Sequence, residues 1–461
     1  MLASPSPHDP YAAFRFPAYL NYWIGAFISV IGRQMLAVAV GYEIFQRTHS
    51  ATALGLMGLA GALPVILLSL PAGQVADRFR RKRILMTTQC LLVLSSGALV
   101  ALSLHYSSIP PLPALAWVNH GIAWLAAVCG EKSGVLFEPA LPLLYLLLLI
   151  NGTARAFGWA ARSPFVSNLV PREALASAVT WGSTNFEVGS VVGPAIGGLL
   201  IAQFGFSVVY ALDAVCGLLF IAFLIPIRDS HVVSKEPRDH PLRELFAGLN
   251  FVFKRKVILA SITLDMFAVL LGGATVLLPM IADQVLHVGA AGLGWLRAAP
   301  SFGALTMALI LAHRPPMRRA GITLLWAVGG FGLATVFFGL SRSFWFSLAM
   351  LTLIGALDNI SVVIRHTLVQ LLTPDLMRGR VSAVNNIFIG SSNELGALES
   401  GLTAAFLGPA LAIAAGGTGT ILVVLGAAWY WPELRRIGSL HLVTEEPEDR
   451  LANTAAGGIS P

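Results

Sequence analysis

The sequence predicts an all-α integral membrane protein, with twelve transmembrane helices in two pseudo-symmetric six-helix bundles. Three observations carry that prediction. Of 461 residues, 56% are apolar and 11% charged, and the mean hydropathy is +0.75, whereas soluble domains carry about 25% charged residues. Apolar stretches of about 20 residues, enough to cross roughly 30 Å of hydrocarbon, fall into two sets of six. The cations sit in the short segments between them.

The elements follow in chain order. Residues 1–18 are a short polar lead with prolines and no cleavable signal pattern. The first bundle, 19–227, holds helices near 19–45, 51–76, 84–105, 139–162, 174–203 and 206–227. The second helix ends on Arg78, Arg80, Arg81, Lys82 and Arg83, and each such cation costs roughly 2.5–3.5 kcal/mol in hydrocarbon. An outer insert, 106–138, follows the third helix. Its apolar part, 114–130, is 17 residues long with Asn119 and His120 in the middle, so it is expected to lie in the outer interface or cap the protein. A polar, basic stretch, 228–256, separates the bundles, and from Pro241 it reads as a helix lying on the membrane surface. The second bundle, 257–431, holds helices near 257–286, 290–313, 320–341, 343–370, 379–407 and 410–431. The tail, 432–461, is polar and rich in small residues, and is expected to be disordered.

Charge placement sets the orientation. With both termini in the cytoplasm, inner loops and tails hold 24 of the 30 Lys and Arg, and outer loops hold only Arg47, Lys132 and Arg342. Arg33, Arg155 and Arg297 remain within helices. This bias also explains the isoelectric point near 9.6 without nucleic acid as a partner. Cys90, Cys129 and Cys216 are far apart and give neither metal spacing nor a disulfide framework. No phosphate loop or catalytic triad is present, so an ATP-driven pump or an enzyme is not expected. The halves repeat at an offset of 203 residues, which pairs Arg162 with Arg365, Leu169 with Leu372, Pro171 with Pro374 and Gly193 with Gly396.

Two local patterns give the chain a family likeness. Gly73, Asp77, Arg78, Arg81 and Lys82 resemble the Gly-x-x-x-Asp-Arg-x-Gly-Arg-Arg signature of the major facilitator superfamily, with Arg80 in place of the second glycine. On the fifth helix, Gly189, Gly193, Pro194, Gly197 and Gly198 resemble the Gly-x-x-x-Gly-Pro-x-x-Gly-Gly pattern of its proton-driven exporters. The stripe at Gly189, Gly193 and Gly197 lets a second helix approach closely, and Pro194 removes a backbone bond. Across residues 15–432, apart from the insert, the chain is similar to the bacterial exporter branch that includes the enterobactin exporter and related multidrug efflux pumps. The resemblance implies the major facilitator fold, alternating access, and a gating role for Asp77 and Arg78 at the inner helix ends. It also implies a cavity lined by the first, fourth, seventh and tenth helices.

Ionisable groups inside spans are costly and mark functional positions. On the cavity helices these are Arg33, Arg155 with Asn151 one turn before it, Asp265 and Asp358, basic in the first half and acidic in the second. Opposed charges across an empty cavity are expected to pair, then part when substrate or a proton binds. A desolvated carboxylate can carry that proton. Glu187, Glu394 and Glu399 are further candidates, and Glu187 lies about 160° around its helix from the glycine stripe. A buried structural pair, for instance Asp358 with Arg365, is the alternative. Asp213, Asp283 and Arg297 are expected near the outer ends, in solvent. Trp23, Phe157, Trp159 and Phe267 are either stacking surfaces for a flat ligand or packing residues.

The leading expectation is a monomeric secondary active transporter of the bacterial inner membrane. It would export amphipathic small molecules, siderophore- or drug-like, by proton antiport. It needs no cofactor, the proton gradient being its energy source. Its partners would be a small-molecule substrate, protons and the lipid bilayer. An importer of organic anions or nutrients on the same fold, and a non-transporting sensor or scaffold, are the alternatives.

Overall fold

The computed structural model describes residues 9–105, 116–131, 140–228, 241–314 and 317–438. The first half comprises α1 (Pro17–Thr48), α2 (Ala51–Arg78), α3 (Arg81–Leu104), α4 (Ala116–Val128), α5 (Leu141–Ser167), α6 (Leu175–Phe204) and α7 (Phe206–Leu224). After α8 (Pro241–Lys254), the second half comprises α9 (Lys256–Gly272), α10 (Leu278–Met280), α11 (Gly289–Ala312), α12 (Ala320–Leu340), α13 (Phe344–Leu371), α14 (Asp375–Leu407) and α15 (Pro409–Tyr430), followed by α16 (Pro432–Arg436). Among the described residues there is no β-strand, and eleven helical segments are long and apolar enough to cross a membrane. The twelfth span is α14, whose 33 residues are ample in length but more polar. It is wedged among α2, α8, α9 and α15, which buries Asn385, Ser392 and Ser400 away from lipid.

Each half has its own packing: α1 on α6 and α7, α3 on α5 and α7, and α2 on α5 in the first; α12 on α13 and α15, α11 on α13, and α9 on α14 and α15 in the second. The halves meet through two crossings, α2 with α14 and α6 with α11. Both crossings are glycine contacts at the end of the bundle remote from the chain termini. A Cβ on Gly198 would lie 2.7 Å from the Gly294 Cα, and one on Gly401 would lie 2.6 Å from the Gly55 Cα. Without side chains the backbones touch, and dispersion over the contact replaces the hydrophobic effect that lipid does not supply. Gly198 and Gly401 stand 203 residues apart. So do Gly205 and Gly408, which turn α6 into α7 and α14 into α15 at φ +79°, a conformation glycine adopts at no steric cost. At the termini end no such crossing is seen among the described residues, and a Cβ on Gly73, Gly182, Gly379 or Gly390 would meet nothing within 4 Å.

Three elements differ from expectation. The seventh span is not one helix: α9 stops at Gly272, a 3-10 turn spans Ala274–Leu277, and a π-helical turn spans Ile281–Val285. The break falls on two adjacent glycines, where the Phe331 ring would lie 2.5 Å from a Cβ on Gly272. The second difference is the start of the tail. Residues 432–436 form α16, and Leu434 is fully buried against α12, with its carbonyl close over Gly321. One apolar anchor thus orders the first turn after the last span, while 439–461 lie outside the described residues. The third is a pair of helix-end charges, Asp213 and Arg297, treated with the site below.

The described helix of the insert is short for a span. At 13 residues, α4 is about 20 Å long at about 1.5 Å per residue, and it lays Asn119, Ile122, Ala123 and Ala126 against the bundle while Trp117 and Trp124 stay exposed. It also caps α2. The Glu131 carboxylate accepts from Ser50 Oγ at 2.6 Å and from the Ala51 backbone N–H at 2.7 Å, and Ser50 Oγ accepts from the Ala53 N–H at 3.1 Å. Glu131→Ala should therefore cost about 1 kcal/mol of local stability, typical of a lost helix cap. Hydrogen exchange checks this: the first turn of α2 should exchange about fivefold faster, with the rest of α2 unchanged.

At the boundary on the termini side, α8 rests on α14 and α9, placing Gly248 where a Cβ would lie 2.8 Å from the Arg380 carbonyl. Its Phe246 and Phe253 point outward, as on a helix lying in a bilayer interface. Exposed Trp345 and Phe406 at one end, and Trp429 and Tyr430 at the other, form the aromatic belts that mark interface levels.

Candidate functional site

In the first half the charged groups gather around Arg33. Asp213, expected in solvent near the outer end, is instead buried, because α7 packs between α1 and α3. Its Oδ2 accepts from Ser96 Oγ on α3 at 2.6 Å, and a Cβ on Gly32 would come within 3.0 Å of its other oxygen. Glycine at 32 thus makes room for the carboxylate. Arg33 lies within electrostatic reach of Asp213, and also of Arg155 and Arg162. Arg33 therefore has two like charges and one opposite charge around it.

The second half inverts that balance. Arg365 on α13 pairs with Asp265 on α9, and the two are 2% and 4% exposed. The expected alternative, Asp358 with Arg365, does not form, because Asp265 occupies the guanidinium. Asp358 instead lines a small pocket between α9, α12 and α13, together with Asp265, Ser361, Val328, Phe331 and Leu357. It lies near Asp265, Arg365 and, from the first half, Glu187. This cluster carries more negative than positive charge.

The opposed pairing of Arg33 and Arg155 against Asp265 and Asp358 is therefore not what the structure holds. Arg33 has its acidic neighbour, Asp213, within its own half, and Asp265 is paired within its own by Arg365. Across the halves, Arg155 lies within electrostatic reach of Glu394, and Glu187 within reach of Asp358. Asn151 is drawn out of the cavity, because its amide donates to Ser95 Oγ at 2.6 Å and to the Leu147 carbonyl at 2.9 Å, tying α5 to α3. Glu399 accepts from Thr403 Oγ1 at 2.9 Å one turn away. Trp23 is committed to packing: it stacks on Phe27 at 5.5 Å and donates to the Trp181 carbonyl at 2.9 Å. Trp159 and Phe267 are exposed. Arg297, expected in solvent, is half-buried and reaches the Thr275 carbonyl at 3.4 Å.

The two signature stretches occupy different structural roles. Arg81 donates to the Pro164 carbonyl at 3.1 Å, and Lys82 donates to the Ile225 and Ile227 carbonyls at 2.8 and 2.7 Å, so both cations cap C-terminal ends of their own half. Gly73 and Arg78 face open space at the termini end, and Asp77 is half-buried beside them. The glycine stripe of α6 lies on α1: added Cβ atoms at Gly189, Gly193 and Gly197 would fall 2.5, 2.5 and 3.0 Å from Val30, Gln34 and Met35. Gly198, one residue on, turns to α11. Pro194 is buried between them.

The closed end has a polar lock that sequence reasoning missed. Tyr42 OH donates to Asp283 Oδ1 at 3.2 Å, joining α1 to the π-helical turn of the other half. Beside it, Glu43 is fully buried, accepting from Tyr210 OH and from Arg47 Nε at 3.0 Å. The legible signal was Glu43 and Arg47 four residues apart, within reach of each other on a helix.

Comparison with known proteins agrees with this geometry. The family model described as Major Facilitator Superfamily matches residues 22–397. The enterobactin exporter EntS of Shigella boydii serotype 18 is 28% identical over 421 residues, which cover 91% of this chain and 93% of that protein. EntS of Escherichia coli O139:H28 is 28% identical over the same extent. Among solved structures, a bacterial homologue of the human lysosomal transporter Spinster, inward-facing and unoccupied, superposes with a TM-score of 0.64 at 15% identity, covering 93% of this chain and 98% of that one. A POT family transporter in complex with 5-aminolevulinic acid gives 0.66 at 12% identity, covering 90% and 96%.

Proposed function

This chain belongs to the major facilitator superfamily, and from that premise we propose that it exports amphipathic small molecules from the cytoplasm by proton antiport. It is a multi-pass membrane transporter, not an enzyme. The observation that carries the mechanism is the asymmetry between its ends: glycine crossings and the Tyr42–Asp283 bond close one end, while no such crossing joins the described residues at the other. Between them lie ionised groups whose burial is costly. With the basic loops in the cytoplasm, the open end faces inward, both termini are cytoplasmic, and the membrane is the bacterial inner membrane.

Substrate enters from the cytoplasm and meets Arg155, which lies within electrostatic reach of Glu394 on the other half. An anionic group on the substrate competes with Glu394 for Arg155, and parting that pair frees the halves to rock. Alternating access then closes the termini end about the midplane, bringing α2 around Gly73, Asp77 and Arg78 onto the start of α14. The return stroke is driven by protons moving inward. Siderophore-like cargo fits this scheme, since the relatives at 28% identity are named enterobactin exporters and a catecholate is anionic. The unit that performs this cycle is the monomer.

Everted membrane vesicles loaded by an imposed pH gradient provide the test, with enterobactin as the probe. Vesicles carrying the protein should accumulate it at least tenfold over vesicles without it, and collapsing the gradient should abolish the difference. Accumulation that ignores the gradient removes proton coupling, and accumulation only in whole cells reverses the direction.

A further inference from the structure

The pocket between α9, α12 and α13 has a charge balance that the rest of the site does not share. Asp265 and Arg365 neutralise each other. Asp358 has no such partner, and its other charged neighbours, Asp265 and Glu187, are acids. With both aspartates ionised and Arg365 positive, the cluster of α9 and α13 carries one uncompensated negative charge. Desolvating such a charge is expensive, and one monovalent cation removes it. A second observation points into the same space: Ser361, 3% exposed, lines the pocket with Asp358, and its Oγ has no hydrogen-bond partner. A buried hydroxyl left unpaired costs about 1–3 kcal/mol, and the Asp358 carboxyl one turn away is the polar group that would supply the missing partner when it turns into the pocket.

We propose that this pocket is the coupling-ion site, and that the ion is a proton carried by Asp358, with Ser361 as its hydrogen-bond partner and Asp265 as the fixed counter-ion of Arg365. Sodium fits less well, because the remaining lining (Ala268, Val269, Val328, Phe331, Leu357) offers apolar side chains where a hard cation needs oxygen. The step balances simply. A proton from solvent forms an O–H bond on one Asp358 oxygen, and its later release to solvent regenerates the carboxylate. Glu187, on α6 of the other half, adds a second negative charge when the halves approach, so protonation of Asp358 is tied to the rocking motion. Asp358 sits one residue below Leu357, whose side chain contacts Gly330 on α12, so a change at the carboxyl is passed to the α12–α13 contact.

This inference rests on the antiport reading but is tested without substrate, so the two can fail separately. The measurement is pH-difference infrared spectroscopy of the full-length protein in lipid nanodiscs, with sodium or choline as the salt cation. A carboxylic-acid C=O band should appear on acidification and be lost in Asp358→Asn. It should persist in the doubly neutral Asp265→Asn/Arg365→Gln variant and shift in frequency in Ser361→Ala. Asp358→Glu should keep the band at a moved frequency, which serves if the Asn variant does not fold. A band unchanged by Asp358→Asn, or unmoved in both Asp358→Glu and Ser361→Ala, overturns the assignment. Loss of the band when sodium replaces choline at fixed pH overturns the choice of proton and gives the site to sodium.

Discussion

Asp265→Asn is expected to be the most damaging single substitution in the second half, lowering stability by about 3–5 kcal/mol, the cost of leaving a buried charge without its partner. Arg365 is 2% exposed and its pair with Asp265 is the bond between α9 and α13. The guanidinium cannot deprotonate, nor can it snorkel out, since Leu368 and Ile364 beside it are fully buried. Removing both charges is a different case. A paired ion buried in low dielectric often contributes little over a neutral pair of similar volume, so Asp265→Asn/Arg365→Met should recover most of the lost stability. Thermal unfolding of the purified variants provides the comparison, as a double-mutant cycle. If the double variant is as unstable as the single one, Arg365 is held by something other than Asp265.

The second large effect is expected at the α6–α11 crossing. Gly198→Leu should abolish transport while leaving each half folded. An added Cβ at Gly198 lies 2.5 Å from the Ala290 carbonyl and 2.7 Å from the Gly294 Cα, and backbone cannot move aside as a side chain end can. The clash exists only while this end is closed. An overpacking penalty of about 1–3 kcal/mol therefore falls on one conformation, which moves the population about 5–150-fold toward the opposite one. Thiol labelling at Ala290→Cys, a position 7% exposed at this crossing, in a background lacking Cys90, Cys129 and Cys216, should rise in Gly198→Leu. Gly73→Leu, at a position open in this conformation, should leave that labelling no higher than in the parent.

Helix number and half-repeat were legible because both rest on patterns that composition fixes: spans of bilayer length, and turns such as Gly205 and Gly408 that recur at one offset. The glycine stripe of α6 was legible as a close contact, but not its partner, because which helix lies opposite is a property of the bundle. Charges inside spans were legible as important. Their pairing was not, since Asp265 and Arg365 are 100 residues apart and nothing local links them. Asp213 was misplaced because counting from the helix end ignores the neighbour on α3 that supplies Ser96. The break after Gly272 was masked by unbroken hydrophobicity, which is indifferent to whether the backbone is α, 3-10 or π.

Rocking of the halves about the midplane is tested most directly by two spin-label distances measured on the same protein. One pair, Arg80→Cys with Gly379→Cys, reports the termini end; the other, Phe204→Cys with His287→Cys, reports the opposite end. All four positions are exposed. Changing pH across the range in which the carboxyl band titrates should lengthen one distance as it shortens the other, and Gly198→Leu should fix the second pair at its longer value. Two distances that stay constant, or that lengthen and shorten together, would contradict alternating access by rigid halves.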